Sequence, residues 1–283
     1  MFCYVILHYQ DLGLTQACVR ELRNRFPASP VAVVDNGSPN GSGSALLALY
    51  KPDNMVKVIL NKNNLGFAKG NNAGFSFAKD EFHPNYIVVM NNDVFIRDSG
   101  FESKISTFMR DERVDVCGPD IFSASGKHQN PLELRALSDA ELTRAYLKAK
   151  LKTLLLKLPF FSRRALTKRK EYSAFNPYWN GTDQFNCILQ GACVVYGEKF
   201  IENEDFAFLP VTFMYGEEAI LFDYLCFKGY KTGVCSLTQV CHMEGGATST
   251  TQANQTKRLV FRFINSSNSL KAQIELRKKY ATK

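Results

Sequence analysis

The chain has 283 residues, 45% hydrophobic and 22% charged, with a formal net charge of +8 and a pI near 9.0. This is an ordinary globular composition, and no run reaches the roughly 20 apolar residues that a membrane-spanning helix needs. The excess of positive charge points to an anionic partner: nucleic acid, anionic lipid or a phosphorylated substrate.

The opening "MFCYVILHYQ" has no basic stretch and no small-residue cleavage site. It reads as a first buried strand over residues 2–7 rather than as a secretory signal. A helical pattern follows over 14–25, with Leu14, Cys18 and Leu22 on one face. Residues 31–35 (VAVVD) form a second strand that ends in Asp35 and runs into the turn-rich "NGSPNGSGS". A carboxylate at a strand end suits a nucleobase or a ribose. It equally suits a turn or helix cap.

A helix over 44–50 and a third strand over 56–60 come next. "NLGFAKGNNAG" then places glycines at 66, 70 and 74 at the start of a helix from about residue 68. The spacing is neither GxGxxG nor GxxxxGK[ST], so dinucleotide and P-loop chemistry are not indicated. A glycine-rich helix start can approach a ligand closely, and Lys69 adds positive charge there. The alternative is glycine used for packing.

The fourth strand, 86–90, ends in Asn91, Asn92 and Asp93. Asparagine and aspartate are turn residues, but the carboxyl ends of parallel strands are also where such sheets bind ligands. A lone carboxylate there can hold one position on Mg²⁺ or Mn²⁺, with a diphosphate supplying others. Strands alternating with helices over this first third predict βαβ units and a doubly wound, mostly parallel α/β sheet.

A helix over 101–112 and a strand in "VDVCGPDIF" complete a first part, residues 1–127. Residues 128–180 lack strand signals and are rich in Leu, Lys and Arg. Within them, 147–170 carry nine Lys or Arg and no acid. Leu147, Leu151, Leu154, Leu155 and Leu158 share one helical face flanked by lysines, and Pro159 ends the helix. That pattern predicts an interfacial helix on an anionic membrane surface. Packing against the sheet is the alternative.

Compact α/β signals return over 181–250, where "CILQGACVVY" reads as a strand. In "MYGEEAILFDYL", Glu217 and Glu218 open an amphipathic helix. Neighbouring helical residues face different ways, so one glutamate can face a cleft while the other pairs or caps. A carboxylate at a helix N-terminus is favoured as the anion, which suits a general base. Acidic residues are also common in any first turn. His242 closes a strand-like run before Gly245 and Gly246. A lone histidine is as readily structural as a ligand. The tail, 251–283, is basic and helical in pattern. Eight cysteines lie singly, with no CxxC pair, and read as reduced, buried thiols of a cytoplasmic protein.

The order of these signals is more telling than any one of them. "VILHYQ", "VVDNGS", "NLGFAKGNNAG", "VVMNNDV", "GPDIF", "LQGACVVY", "FMYGEEAILFDYL", "GYKTGV" and "CHMEGGATS" together resemble the family 2 glycosyltransferases of the GT-A fold. They look most like the rhamnosyltransferase-like branch of bacterial surface polysaccharide synthesis. The likeness spans residues 2 to 250, with 128–180 unmatched.

The resemblance implies a nucleotide-sugar donor contacted by Asp35, Asn36, the loop holding Gly66, Lys69 and Asn72, and by Asn91 and Asn92. It implies Mg²⁺ or Mn²⁺ on Asp93 and His242. The family's Asp-x-Asp element appears here as Asn91-Asn92-Asp93. Its Glu-Asp pair appears as Glu217-Glu218, so Glu218 inherits the base role beside Glu217. The acceptor is expected to be a saccharide, lipid-linked at the inner face of the cell membrane, and no nucleic acid is expected. A non-catalytic basic protein binding nucleic acid or anionic lipid is the competing reading. A sugar nucleotidyltransferase would need a glycine-rich, arginine-containing loop where "LHYQDLGLTQ" stands.

Overall fold

The computed structural model describes residues 1–155, 176–243 and 255–281. A nine-stranded sheet runs through them, in the order β3-β2-β1-β4-β8-β6-β9-β5, with β7 beside β9. Strands β1 (Phe2–His8), β2 (Val31–Asp35), β3 (Val56–Leu60) and β4 (Tyr86–Asn91) are mutually parallel. They are connected by α1 (Leu12–Arg25), α2 (Ser42–Tyr50) and α3 (Gly66–Phe82), as the alternating pattern predicts. Every residue of β2 is buried, which is why it reads as a continuous apolar run up to Asp35.

Beyond β4 the sheet becomes mixed. Strand β8 (Cys193–Gly197) inserts antiparallel between β4 and β6 (Val116–Ser123). Strand β9 (Thr232–His242) lies parallel to β6, and the two-residue strands β5 (Val94–Phe95) and β7 (Gln184–Phe185) pair antiparallel with it. The expected strand in "CILQGACVVY" is correspondingly short. Ile188 bridges to Glu133 instead, and a turn at Gly191 precedes β8.

Helices cover both faces. Cys18, Val19 and Leu22 of α1, Leu46 of α2 and Phe101, Ile105 and Phe108 of α4 (Phe101–Asp111) pack one side. The other side takes Phe75 of α3, Phe200 of α6 (Glu198–Asn203) and Ile220, Leu221 and Tyr224 of α7 (Glu217–Lys228). Gly74 packs α3 onto the sheet, because a Cβ there would lie 2.4 Å from Val5 Cγ1.

Helix α5 (Asp139–Leu155) packs along the C-terminal helix α8 (Gln255–Ala281). Arg277 joins the two to α7: its guanidinium donates to both oxygens of Asp223 at 2.6 and 2.8 Å, and to Asp139 at 2.8 Å. Leu142 and Ala149 are the buried residues of α5. Leu147, Leu151 and Leu154 are 56–57% exposed, so packing on the sheet is not their role. Leu158 and Pro159 lie outside the described residues. Among the described residues, no helix is long and apolar enough to cross a membrane. The cysteines are free thiols. Cys226 corrects the expectation of uniform burial: it lies on the exposed side of α7.

Candidate active site

The carboxyl ends of β1, β2 and β4 meet at one edge, and the polar residues there form a connected network. Asp35 is buried at the end of β2 and accepts from the Ser38 backbone N–H at 3.2 Å. Its carboxylate lies 3.9 Å from His8 Nε2, at the end of β1. His8 is wholly buried and bonds Thr15 Oγ1 at 2.7 Å and Ser42 Oγ at 2.8 Å. Burial lowers its pKa against the opposing pull of Asp35 and Asp11. Asn92 donates to the same Thr15 hydroxyl at 2.9 Å. One histidine and one threonine thus tie the Asp35 turn to the Asn91-Asn92-Asp93 turn. His8 carries the same signal as Asp35 and Asp93, a polar residue ending an apolar strand, and sequence reasoning passed over it.

Asn36 serves the loop rather than an open pocket. Its amide nitrogen donates to Asn64 Oδ1 and to the Gly66 carbonyl, both at 3.1 Å. Its oxygen accepts from Leu65 N at 3.0 Å and from Asn61 at 3.3 Å. Gly66 has φ +81°, and a Cβ there would meet the Phe213 carbonyl at 2.1 Å. Only glycine satisfies both the left-handed backbone and that approach. Phe67 N donates to the same carbonyl at 2.8 Å, which docks the glycine-rich loop onto the segment leading to Glu217. Asn72 bonds the backbone of Ala207 and Phe208 at 2.7–3.0 Å, so its amide faces the 207–208 segment. Lys69 is exposed.

Asp93 and His242 come together, as the metal reading requires. Asp93 Oδ1 lies 3.3 Å from His242 Nε2, and the Asp93 carbonyl accepts from Met243 N at 2.9 Å. His242 Nδ1 is 2.7 Å from Gln129 Oε1. That oxygen only accepts, so the bond places a proton on Nδ1 and turns Nε2 toward the carboxylate. An oxygen and a nitrogen donor converging in this way fit a divalent cation that takes its remaining ligands from phosphate and water. Among the described residues, no group of three or more His, Cys, Asp or Glu is placed to hold a metal. Gln129 gave no sequence signal, because its role depends on a contact 113 residues away.

The acidic pair sits across a two-residue link. Asn91 N donates to the Ala192 carbonyl at 3.0 Å, and the neighbouring Gly191 N–H stabilises the Glu218 carboxylate. A Cβ at 191 would lie 2.8 Å from Glu218 Oε1. Burial raises the Glu218 pKa. Glu217 is buried and accepts from Thr212 Oγ1 at 2.9 Å. Burial first, and then the Glu218 charge, push it up to about 7. The two carboxylates differ in surroundings as the helix geometry requires, and burial raises both above the ordinary glutamate value, which corrects the expectation that the helix N-terminus holds them as anions.

Residues 3–173 match the sequence profile of glycosyl transferase family 2. The chain belongs to glycosyl transferase family 2. Its α/β architecture is of the GT-A type: residues across 86% of it superpose on TarS (residues 1–349) from S. aureus, with a TM-score of 0.51 and 12% identity over 60% of that chain. Residues across 99% of it superpose on GalNAc-T7, crystallised with UDP, GalNAc and Mn²⁺, with a TM-score of 0.57 and 12% identity over 50% of that chain. In sequence it is 31% identical over 87 residues to glycosyltransferase GlyG of Streptococcus pneumoniae serotype 4. That stretch covers 30% of this family 2 chain and 28% of GlyG.

Proposed function

We propose that this family 2 protein is an inverting glycosyltransferase. It moves a sugar from a UDP- or dTDP-sugar to a hydroxyl of a saccharide acceptor, lipid-linked, in surface polysaccharide synthesis of the capsule or O-antigen type. The observation that carries this reading is the convergence of three features at one sheet edge. These are the Asp35 turn, the Asp93–His242 pair and Glu218, which is linked to Asn91 through Gly191 and Ala192.

In this reading the Asp35 turn receives the nucleoside, and the loop stapled by Asn36 shapes its pocket. Asn91 and Asn92 present the strand end to the diphosphate. Asp93 and His242 Nε2 would hold Mg²⁺ or Mn²⁺, which neutralises charge on a diphosphate leaving group. Glu218 takes the proton of the acceptor hydroxyl as it attacks the anomeric carbon from the face opposite the leaving group. One displacement inverts the configuration and needs no protein nucleophile. Glu217 stands beside Glu218 and, pushed up to about 7 by burial and by the Glu218 charge, is held partly protonated near neutral pH, which eases the repulsion on an ionised Glu218.

The membrane enters through α5 and α8. Leu147, Leu151 and Leu154 stand out from α5 among exposed Arg144, Lys148, Lys150 and Lys152. Arg258, Arg262 and Ile264 of α8 are exposed as well. Leucines rimmed by lysines match an anionic lipid surface.

Nuclear magnetic resonance of the product formed from an α-linked donor tests the mechanism. A β-linked product from wild type, absent with Glu218→Gln, supports it. Retention of the α configuration would overturn it.

A further inference from the structure

A cavity of about 290 Å³ opens beside the first turn of α7. Tyr215 and Gly216, the two residues before Glu217 and Glu218, form one wall, and Ser266 and Leu270 of α8 form another. Glu133 and Gln273 bring further polar groups to it. The other cavity beside this helix, which Glu218 itself lines, holds only about 10 Å³, too little for more than one water. The larger cavity approaches the size of small-molecule sites.

We propose that this cavity is the subsite for the terminal sugar ring of the acceptor. The inference rests on the glycosyltransferase reading. Its chemistry is that of a pyranose, which has apolar C–H faces and a rim of hydroxyls. The Tyr215 ring, Ile188 and Leu270 supply apolar surface. The Ser266 hydroxyl and the Glu133 carboxylate bring groups that hydrogen-bond sugar hydroxyls, while the Gln273 amide nitrogen is already held by Asp223 at 2.8 Å.

Backbone strain supports the assignment. Tyr215 (φ 72°) and Gly216 (φ 87°) are both left-handed, a conformation unusual for a bulky residue. Contacts from α8 hold it there: Arg262 lies 5.9 Å over the Tyr215 ring, and Phe261 stands edge-on at 6.5 Å. Strain of this kind gathers at ligand sites when the surroundings enforce it. Here it holds Tyr215 in the cavity wall two residues before the acidic pair. The C-terminal helix, which lies outside the matched residues 3–173, thereby becomes the specificity wall of this chain.

Saturation-transfer NMR with a panel of p-nitrophenyl glycopyranosides, in the presence of UDP or dTDP and Mn²⁺, tests this. Ser266→Phe fills the cavity. Tyr215→Gly removes the ring while accepting the positive φ, so it does not depend on tolerating strain. Wild type is expected to bind at least one glycoside. Each variant should bind it about 10- to 200-fold more weakly, the range for losing a small set of pocket contacts, with nucleotide affinity unchanged. Equal glycoside binding by wild type and both variants overturns the assignment. So does a wild type that binds nucleotide but no glycoside, and the donor reading then stands. Glycoside binding lost in the variants of a protein that binds no nucleotide upholds a saccharide cavity and instead removes the glycosyltransferase reading.

Discussion

Gly191 lies against Glu218 so closely that a methyl group on its Cα would sit 2.8 Å from the carboxylate oxygen. The backbone N–H of the same glycine stabilises that carboxylate. The contact sets where the proposed base points. Gly191→Ala should therefore lower kcat by about 100-fold, the cost of displacing a reacting group by about an ångström. The affinity for donor should stay within a factor of two or three of wild type. Steady-state kinetics beside donor calorimetry separates the two. A kcat unchanged by the methyl group would mean that Glu218 does no chemistry at this position.

Glu217 makes stability depend on pH in a direction that can be worked out. Its pKa rises from 4.5 to about 7 on folding, through burial and then through the charge of Glu218. The folded state therefore holds this proton more tightly than the unfolded chain. The associated stability is full below the unfolded value of 4.5 and is lost as pH climbs through 7. Glu217→Gln escapes that loss. The unfolding free energy of the variant minus that of wild type should rise by on the order of 3 kcal/mol between pH 4.5 and 8. Denaturant titrations across that window measure it, and a flat difference would contradict a buried, raised carboxyl.

Asn36 uses both ends of its amide to hold the 61–66 loop, through four hydrogen bonds of 3.0–3.3 Å. Asn36→Ala should cost about 1–3 kcal/mol of stability, because buried backbone and amide groups lose their partners. It should weaken donor binding by loosening the loop. If thermal unfolding shows no loss of stability, the network has another support.

The three exposed leucines of α5 give a separate prediction. Replacing Leu147, Leu151 and Leu154 together by Ser should weaken co-sedimentation with phosphatidylserine vesicles by at least about tenfold, given the transfer energy of buried leucine side chains. Folding stability should not fall, since these side chains are 56–57% exposed. Equal sedimentation of wild type and variant, or binding to neutral vesicles alone, would speak against an anionic membrane surface.

The parallel half of the sheet was legible because β1, β2 and β4 are largely buried on both faces and read as unbroken apolar runs, two of them ending in Asp35 and Asn91. The helix opened by Glu217 was legible from glycine and acid placed before periodic apolar residues, while the helix expected from about residue 68 starts two residues earlier, at Gly66. Strands β5 and β7, two residues each, carry too little pattern to be seen. The links that join the site are side-chain bonds between residues far apart in sequence: Asn92 to Thr15, His242 to Gln129 and Asn72 to Phe208. No local pattern encodes such pairs. Leu147, Leu151 and Leu154 of the expected leucine stripe stand together on α5, yet only the packing of α5 on α8 reveals that they point outward.

The most direct test of the account is donor binding by calorimetry, with UDP- and dTDP-sugars, with and without Mn²⁺, on wild type and Asp93→Ala. The account predicts that wild type binds one of these donors in a metal-dependent manner. It also predicts that Asp93→Ala loses at least about tenfold of that affinity, as removal of a metal contact should cause. Binding of no donor by wild type, or equal metal-dependent binding by Asp93→Ala, would contradict it.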